Sequence, residues 1–107
     1  MRIDIGQISF IDDKLNNLLT WLEISTGMEF TITSLYRLEG TGVHCTLPLR
    51  GVDLRCRNEA LGLEIQDLIN RHYIYDSERT EKNCALLHGS GNNLHLHVQV
   101  HRNTHTL

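Results

Sequence analysis

The chain has 107 residues, 40% of them apolar and 21% charged, with a formal net charge of −3 at pH 7. This size and balance predict one soluble globular domain over residues 1–107 with a single core. The mild acidity and the scattered basic residues exclude a protein that holds nucleic acid by neutralising phosphates, and no apolar run approaches the roughly 18 residues of a membrane span.

The first residues lack the basic start and apolar stretch of a signal peptide, so we expect the chain to be cytoplasmic as synthesised. Three cysteines, Cys45, Cys56 and Cys84, form no Cys-x-x-Cys pair. A disulfide framework or a four-thiolate zinc site is therefore not expected, and buried or idle thiols are the simpler interpretation. Cys45 adjoins His44 and stays open as a neighbour of a metal.

The first half of the chain predicts one helix and one strand. Residues 12–25 carry leucines at helical spacing, begin with aspartates that can cap the helix, and are followed by Gly27. Residues 29–36 are rich in β-branched and aromatic side chains, which favour a strand. Residues 37–50 contain two glycines and a proline and predict a loop.

The second half predicts a strand over 51–56 and a helix over 59–71, with two further strands near 72–75 and 84–88. A glycine-rich loop over 89–93 then leads into the last strand. Two helices and several strands joined by short connections indicate an α+β domain with a small, mainly antiparallel sheet.

The last predicted strand alternates apolar and polar residues over 94–101. Successive side chains of a strand point to opposite faces, so its polar members share one face. These are His95, His97, Gln99 and His101. Imidazole is the commonest metal ligand and the usual group for proton transfer near neutral pH, so this face predicts a site if partners lie nearby.

Two residues elsewhere are the candidate partners of the histidine strand. His44 lies in the glycine-containing loop, and Asp53 lies between Val52 and Leu54 on a short apolar strand, where a carboxylate is costly unless it is paired or bound to a metal. Two histidines and one carboxylate, with a fourth position for water, form the ligand set of a catalytic zinc site. A structural site would be closed by four protein ligands.

At these residues the chain resembles the zinc D-Ala-D-Ala carboxypeptidase and L-alanyl-D-glutamate endopeptidase family, whose fold is shared by the hedgehog signalling domain. The matching pieces are Thr33-Ser34-Leu35-Tyr36-Arg37, then His44 through Gly51-Val52-Asp53, then His95-Leu96-His97-Val98. They occur in the family's order and cover most of the chain from residue 31 onward.

The resemblance implies that His44, Asp53 and His97 bind Zn²⁺. It implies that His95 lies beside the metal-bound water, and that Arg37 contacts a carboxylate or carbonyl of the substrate, a task that suits a planar bidentate donor. The family's acidic general base has no counterpart at 91–94, which read Gly-Asn-Asn-Leu. His95 is then the candidate to take and return the proton, or it is a fourth ligand that closes the site.

The resemblance implies a zinc-dependent peptidase acting on peptidoglycan stem peptides, as a D,D-carboxypeptidase or an endolysin-like enzyme. We expect a monomer, encoded by a phage, that reaches the cell wall after phage-mediated release. The alternative is a non-catalytic zinc-binding module of the same fold that binds a peptide or protein partner. A third hypothesis has no metal and an acid-sensitive histidine surface. The other histidines are expected to be structural or exposed, with His105 in a frayed tail.

Overall fold

The structure, a computed structural model, describes residues 11–36 and 50–107. In chain order its elements are α1 (Asp13–Thr26), β1 (Ile32–Tyr36), β2 (Gly51–Arg55), α2 (Glu59–His72), β3 (Tyr73–Ile74), β4 (Ala85–His88), β5 (His95–Gln99) and β6 (His105–Thr106). The predicted α+β class with two helices and a small antiparallel sheet is confirmed. The candidate residues His44 and Arg37, and the loop that carries them, lie outside the described residues, as does Cys45.

Helix α1 begins and ends where the sequence predicts. The Asp12 carboxylate accepts hydrogen bonds from the backbone N–H groups of Lys14 and Leu15, and so satisfies donors that the first turn leaves unpaired. Gly27 ends the helix with a left-handed φ of 67°, and its N–H donates to the Glu23 carbonyl. The leucine stripe of this helix is buried.

Helix α2 is held against the edge strand β4 by two side-chain amides. The Asn70 amide both donates to the Ala85 carbonyl and accepts from its N–H, at 2.9 Å in each case. The Gln66 carbonyl accepts from the Leu87 N–H at 2.7 Å. These contacts satisfy backbone groups of β4 and leave the opposite edge of that strand to pair with β5.

The larger sheet has the strand order β1-β2-β5-β4, and every neighbouring pair is antiparallel. One face of this sheet, the core face, packs with the helices into a single hydrophobic core. Its central strands contribute the buried side chains of Val52, Leu54, Leu96 and Val98. The other face, called the open face below, carries the polar residues that alternate with them.

The end of the chain differs from the prediction. Strand β5 ends at Gln99, and His105 lies in a second sheet, where it pairs with Ile74. The expected frayed tail is wrong because the Lys14 ammonium binds two carbonyls of the last turn, and the Leu107 N–H donates to the His72 carbonyl at 2.9 Å.

Two smaller differences concern the middle of the chain. Strand β1 begins at Ile32 rather than at residue 29, and the strand predicted near 72–75 is only the two residues of β3. Neither helix in the described ranges is long and apolar enough to cross a membrane.

Candidate metal and proton-transfer site

The pairing of β2 with β5 places Asp53 among the histidines. Asp53 lies directly opposite His97, and Arg55 lies opposite His95. On the other side of β5, His88 lies opposite His95, and their rings are 5.4 Å apart between centroids. The sequence predicted that Asp53, His95 and His97 would share a site, and the sheet register brings these three together on the open face.

The contacts of the His97 ring fix which nitrogen faces Asp53. The Gln99 amide nitrogen donates to the Asn83 carbonyl at 2.8 Å, so the Gln99 amide oxygen is the atom that faces His97. The His97 Nε2–H therefore donates to this oxygen at 3.2 Å. The other ring nitrogen, Nδ1, lies 3.3 Å from Asp53 Oδ1.

His95 is oriented in a similar way by the backbone. Its Nδ1 lies 2.7 Å from the Asn93 carbonyl oxygen, and because a carbonyl only accepts, Nδ1 carries the hydrogen. In the neutral ring the basic nitrogen is then Nε2, which lies 3.9 Å from Asp53 Oδ1. The two rings thus present one nitrogen each toward the same carboxylate oxygen.

A tight turn before β5 supplies the carbonyl that orients His95. Gly89 has a φ of 86°, and a Cβ on it would lie 2.4 Å from the Asn93 carbonyl oxygen. A side chain at this position would therefore require that carbonyl, which contacts the His95 ring, to shift. The glycine-rich loop therefore positions the histidine as well as reversing the chain.

Burial shifts the pKa values of Asp53 and His97 in opposite directions. It raises the pKa of Asp53, and the Coulombic effect of His95 and His88 offsets part of that rise. It lowers the pKa of His97, against the smaller effect of the Gln99 hydrogen bond. Desolvation disfavours charge in both cases, so it favours a neutral His97, the form that binds a metal or accepts a proton.

A zinc ion requires at least three protein ligands in such a site. Among the described residues, no group of three or more His, Cys, Asp or Glu side chains is arranged to hold a metal ion. Asp53 and His97 supply the oxygen and nitrogen donors that zinc prefers, and the third predicted ligand, His44, lies outside those residues. The donor set present therefore fits as part of a zinc site.

The sequence missed the residues that orient the histidines. Alternation predicts that Gln99 shares the face of the histidines, but it does not predict the contact between Gln99 and His97. The Asn93 contact comes from a backbone carbonyl, for which a sequence carries no signal. The role of His88 depends on the β4–β5 register, which alternation alone does not give.

Cys56, Cys84 and His101 lie outside this site. Cys84 is buried, and burial raises the pKa of its thiol to about 12, so it is an inert core residue as expected. His101 is buried against Asp76, with Nδ1 3.6 Å from Oδ2, and so belongs to a separate cluster.

Comparison with known protein families, with curated proteins and with solved structures returns no match for this chain.

Proposed function

We propose that the protein is a zinc-dependent peptidase acting on the stem peptides of peptidoglycan. The observation that carries the proposal is the convergence of His95 Nε2 and His97 Nδ1 on Asp53 while the other ring nitrogen of each histidine donates to a fixed acceptor. Metal-binding histidines in proteins usually donate their second N–H in this way. The order of the motifs around Arg37, His44, Asp53 and His97 supports the same proposal.

In this proposal Asp53, His97 and His44 would hold the ion. When bound, zinc supplies Lewis acidity, which polarises the scissile carbonyl and lowers the pKa of a coordinated water toward about 7. The Gln99 amide oxygen keeps the His97 ring in one tautomer and orientation. Burial lowers the pKa of His97, which favours the neutral imidazole that can bind a metal over its protonated form.

His95 is the proposed proton acceptor. Its Nδ1–H is held by the Asn93 carbonyl, so its Nε2 is the nitrogen able to take a proton beside Asp53 and return it to the leaving amine. Arg37 remains the proposed contact for a substrate carboxylate or carbonyl. Action on peptidoglycan would take place at the cell wall after phage-mediated release.

A second candidate function is a non-catalytic zinc-binding module that binds a peptide or protein partner. The observation in its favour is that the turn Gly91–Asn93 before β5 carries no carboxylate where the resembled family has its general base. In this alternative His95 helps to bind the metal or a ligand rather than to move a proton.

The experiment compares zinc content and peptide cleavage in the wild type, His97→Ala, His95→Gln and His105→Gln. His105 is the matched control because its Nδ1 donates to the carbonyl two residues earlier, as that of His95 does, on an exposed strand of the small sheet. Purified stem peptides are the substrates, and released D-Ala and cleaved stems are measured.

We expect about one zinc per chain in all variants except His97→Ala. We expect His95→Gln to lose about 10²- to 10⁴-fold in turnover and His105→Gln to match the wild type. Cleavage by His95→Gln at the wild-type rate would contradict the assigned proton acceptor. Stoichiometric zinc without any cleavage by the wild type would favour the binding module, and absence of zinc from the wild type would exclude both functions.

A further inference from the structure

An apolar cavity of about 240 Å³ lies on the core face of the sheet, on the opposite side from the histidines. Its floor comes from the central strands β2 and β5, and its walls come from α2 and from the segment between α1 and β1. The apolar lining residues are Met28, Phe30, Leu54, Leu61, Ile65 and Leu96. An occupant of this cavity therefore contacts the strands from the face opposite the proposed metal site.

The volume and lining of this cavity suit a small apolar body. Cavities of about 150 Å³ with leucine, isoleucine and phenylalanine walls bind benzene, so in proportion this cavity accommodates about eight to ten carbon atoms. Among the described residues, no buried side-chain nitrogen or oxygen lacks a hydrogen-bond partner. The inner wall thus offers no polar group for recognition, and the part of a ligand that lies inside must be apolar.

The mouth of the cavity is positively charged. Arg55 and Arg57 border it with exposed side chains, and no carboxylate of the described residues lies within 4 Å of either guanidinium group. Glu29 is the one acidic lining residue in the described ranges, so two guanidinium groups face one carboxylate. The Asn58 side-chain oxygen accepts from the Leu61 N–H at 3.1 Å, which leaves its amide nitrogen as a further donor at the mouth. The mouth is therefore complementary to a single negative charge.

We propose that this cavity binds a small amphipathic anion, with an alkyl chain of about eight carbon atoms and one negative head group. The chain lies on Leu54 and Leu96, and the head group contacts Arg57. Removal of the chain from water stabilises the complex, and the planar guanidinium holds the head group at the mouth. The site is separate from the proposed peptidase centre, and its occupancy requires neither zinc nor turnover.

The experiment measures binding of four probes to the full-length chain: octanoate, octyl phosphate, 1-octanol and acetate. Octanoate and octyl phosphate share the chain and differ in the head group, because guanidinium groups bind both carboxylates and phosphates. Octanol keeps the chain without the charge, and acetate keeps the charge without the chain. Affinity is followed by titration in ¹H–¹⁵N spectra, which also report where each probe binds and whether each variant is folded.

Two pairs of variants separate the chain from the head group. Leu61→Trp places a larger side chain in the wall of the cavity, and its control is Leu63→Trp, since Leu63 lies on the same helix, is 45% exposed and does not line the cavity. Arg57→Gln removes the charge at the mouth. Its control is Arg102→Gln, an exposed arginine near the end of the chain that does not line the cavity.

The Cys56 thiol gives a second readout because it lines the cavity. In a Cys45→Ser background, alkylation by iodoacetamide, an uncharged reagent, reports access to Cys56, since Cys84 is buried and the pKa of its thiol is raised to about 12. At a concentration of octanoate or octyl phosphate about ten times its Kd, we expect the alkylation rate to fall about tenfold, because about one site in eleven is free. Acetate should leave the rate unchanged.

In the wild type we expect octanoate or octyl phosphate to bind at least about tenfold more tightly than octanol, and the tighter of the two identifies the head group. Arg57→Gln should abolish this preference and Arg102→Gln should keep it. Leu61→Trp should lose binding of all three octyl compounds, whereas Leu63→Trp should bind them as the wild type does. Because Arg57 is exposed, its variant keeps the test decisive even if Leu61→Trp does not fold. Failure of the wild type to bind either anion, equal binding of octanol, or an undiminished preference in Arg57→Gln would overturn the proposal.

Discussion

Two aspartates of this domain face histidines, but different forces act on them. Asp53 lies on the open face beside His95 and His97, and burial raises its pKa. Asp76 lies beside His101, and its pKa is lowered, chiefly by a hydrogen bond from the Glu78 N–H. The Asp76 side chain is 4% exposed and that of Asp53 is 22% exposed.

Asp76 is less exposed than Asp53, yet its charged form is the more stable of the two. Asp76 accepts from the Glu78 N–H at 3.0 Å and from the Asn103 side-chain amide at 3.4 Å, with Arg79 and His101 nearby. Burial of Asp53 is offset only in part by its histidines. Hydrogen-bond donors, rather than depth, thus separate a carboxylate that stabilises the fold from one that carries a cost.

The largest effect on folding should come from Thr104→Val in the Asp76 region. The Thr104 hydroxyl accepts from the His101 N–H at 2.7 Å and donates to the Tyr75 carbonyl at 2.8 Å, and all three residues are buried. Valine has a similar shape but leaves both backbone groups without this partner. We expect a loss of about 2 to 4 kcal/mol in the free energy of unfolding, measured by urea denaturation.

The control for this variant is Thr33→Val on the open face. The Thr33 side chain is exposed, and its hydroxyl contacts the Asp53 carbonyl at 3.3 Å. A change within about 0.5 kcal/mol is expected there. Equal losses for the two threonines would show that the two regions contribute alike to the fold.

The second largest effect should be the loss of zinc affinity in Gln99→Leu, which removes the acceptor that orients His97. Outer groups of this kind typically contribute 10- to 100-fold to metal affinity, and we expect a weakening of that order in a competition titration with a zinc chelator. The matched control is Gln66→Leu, since Gln66 also accepts one hydrogen bond but on α2. It should lower stability without changing zinc affinity, and an equal weakening in both variants would contradict the role of Gln99.

The smallest effect is a difference in the pH dependence of stability between Asp76→Asn and Asp53→Asn in zinc-free protein. Because the native-state pKa of Asp76 is lowered, its stabilisation is present above about pH 4 and is lost as pH falls through that native pKa. Asp76→Asn should therefore be less stable than the wild type at pH 7, with the difference shrinking toward pH 3.

For Asp53 the sign is reversed. Its native-state pKa is raised, so the relative stability it contributes is present below about pH 4 and is lost as pH rises through the native pKa. Asp53→Asn should be at least as stable as the wild type at pH 7. Urea denaturation curves from pH 3 to pH 7 measure the free energy of unfolding of both variants. If both substitutions changed this free energy at pH 7 in the same direction, the proposed difference between the two carboxylates would be wrong.

Local patterns in the sequence were sufficient for the helices and for the two faces of the central strands. The cap at Asp12 and the stop at Gly27 depend on neighbours in the chain, so they could be recognised without a fold. The alternation over β5 likewise predicted that His95 and His97 share the face opposite Leu96.

The features that could not be predicted from the sequence depend on contacts between distant segments. The Asp53–His97 register, the hydrogen bond from His95 to the Asn93 carbonyl and the Asp76–His101 cluster all require the strands to be paired and the turns to be closed. Backbone carbonyls are present at every residue, so a pattern of side chains does not show which of them will orient a ring.

The most direct test of the proposed metal site measures the thermal unfolding midpoint with and without zinc in the wild type, Asp53→Asn and Asp76→Asn. A ligand that binds only the native state raises this midpoint. We expect zinc to raise it in the wild type and in Asp76→Asn, whose starting midpoint is lower, and to leave Asp53→Asn unchanged. No rise in the wild type, or the same rise in Asp53→Asn, would contradict the claim that the Asp53 cluster is a metal site.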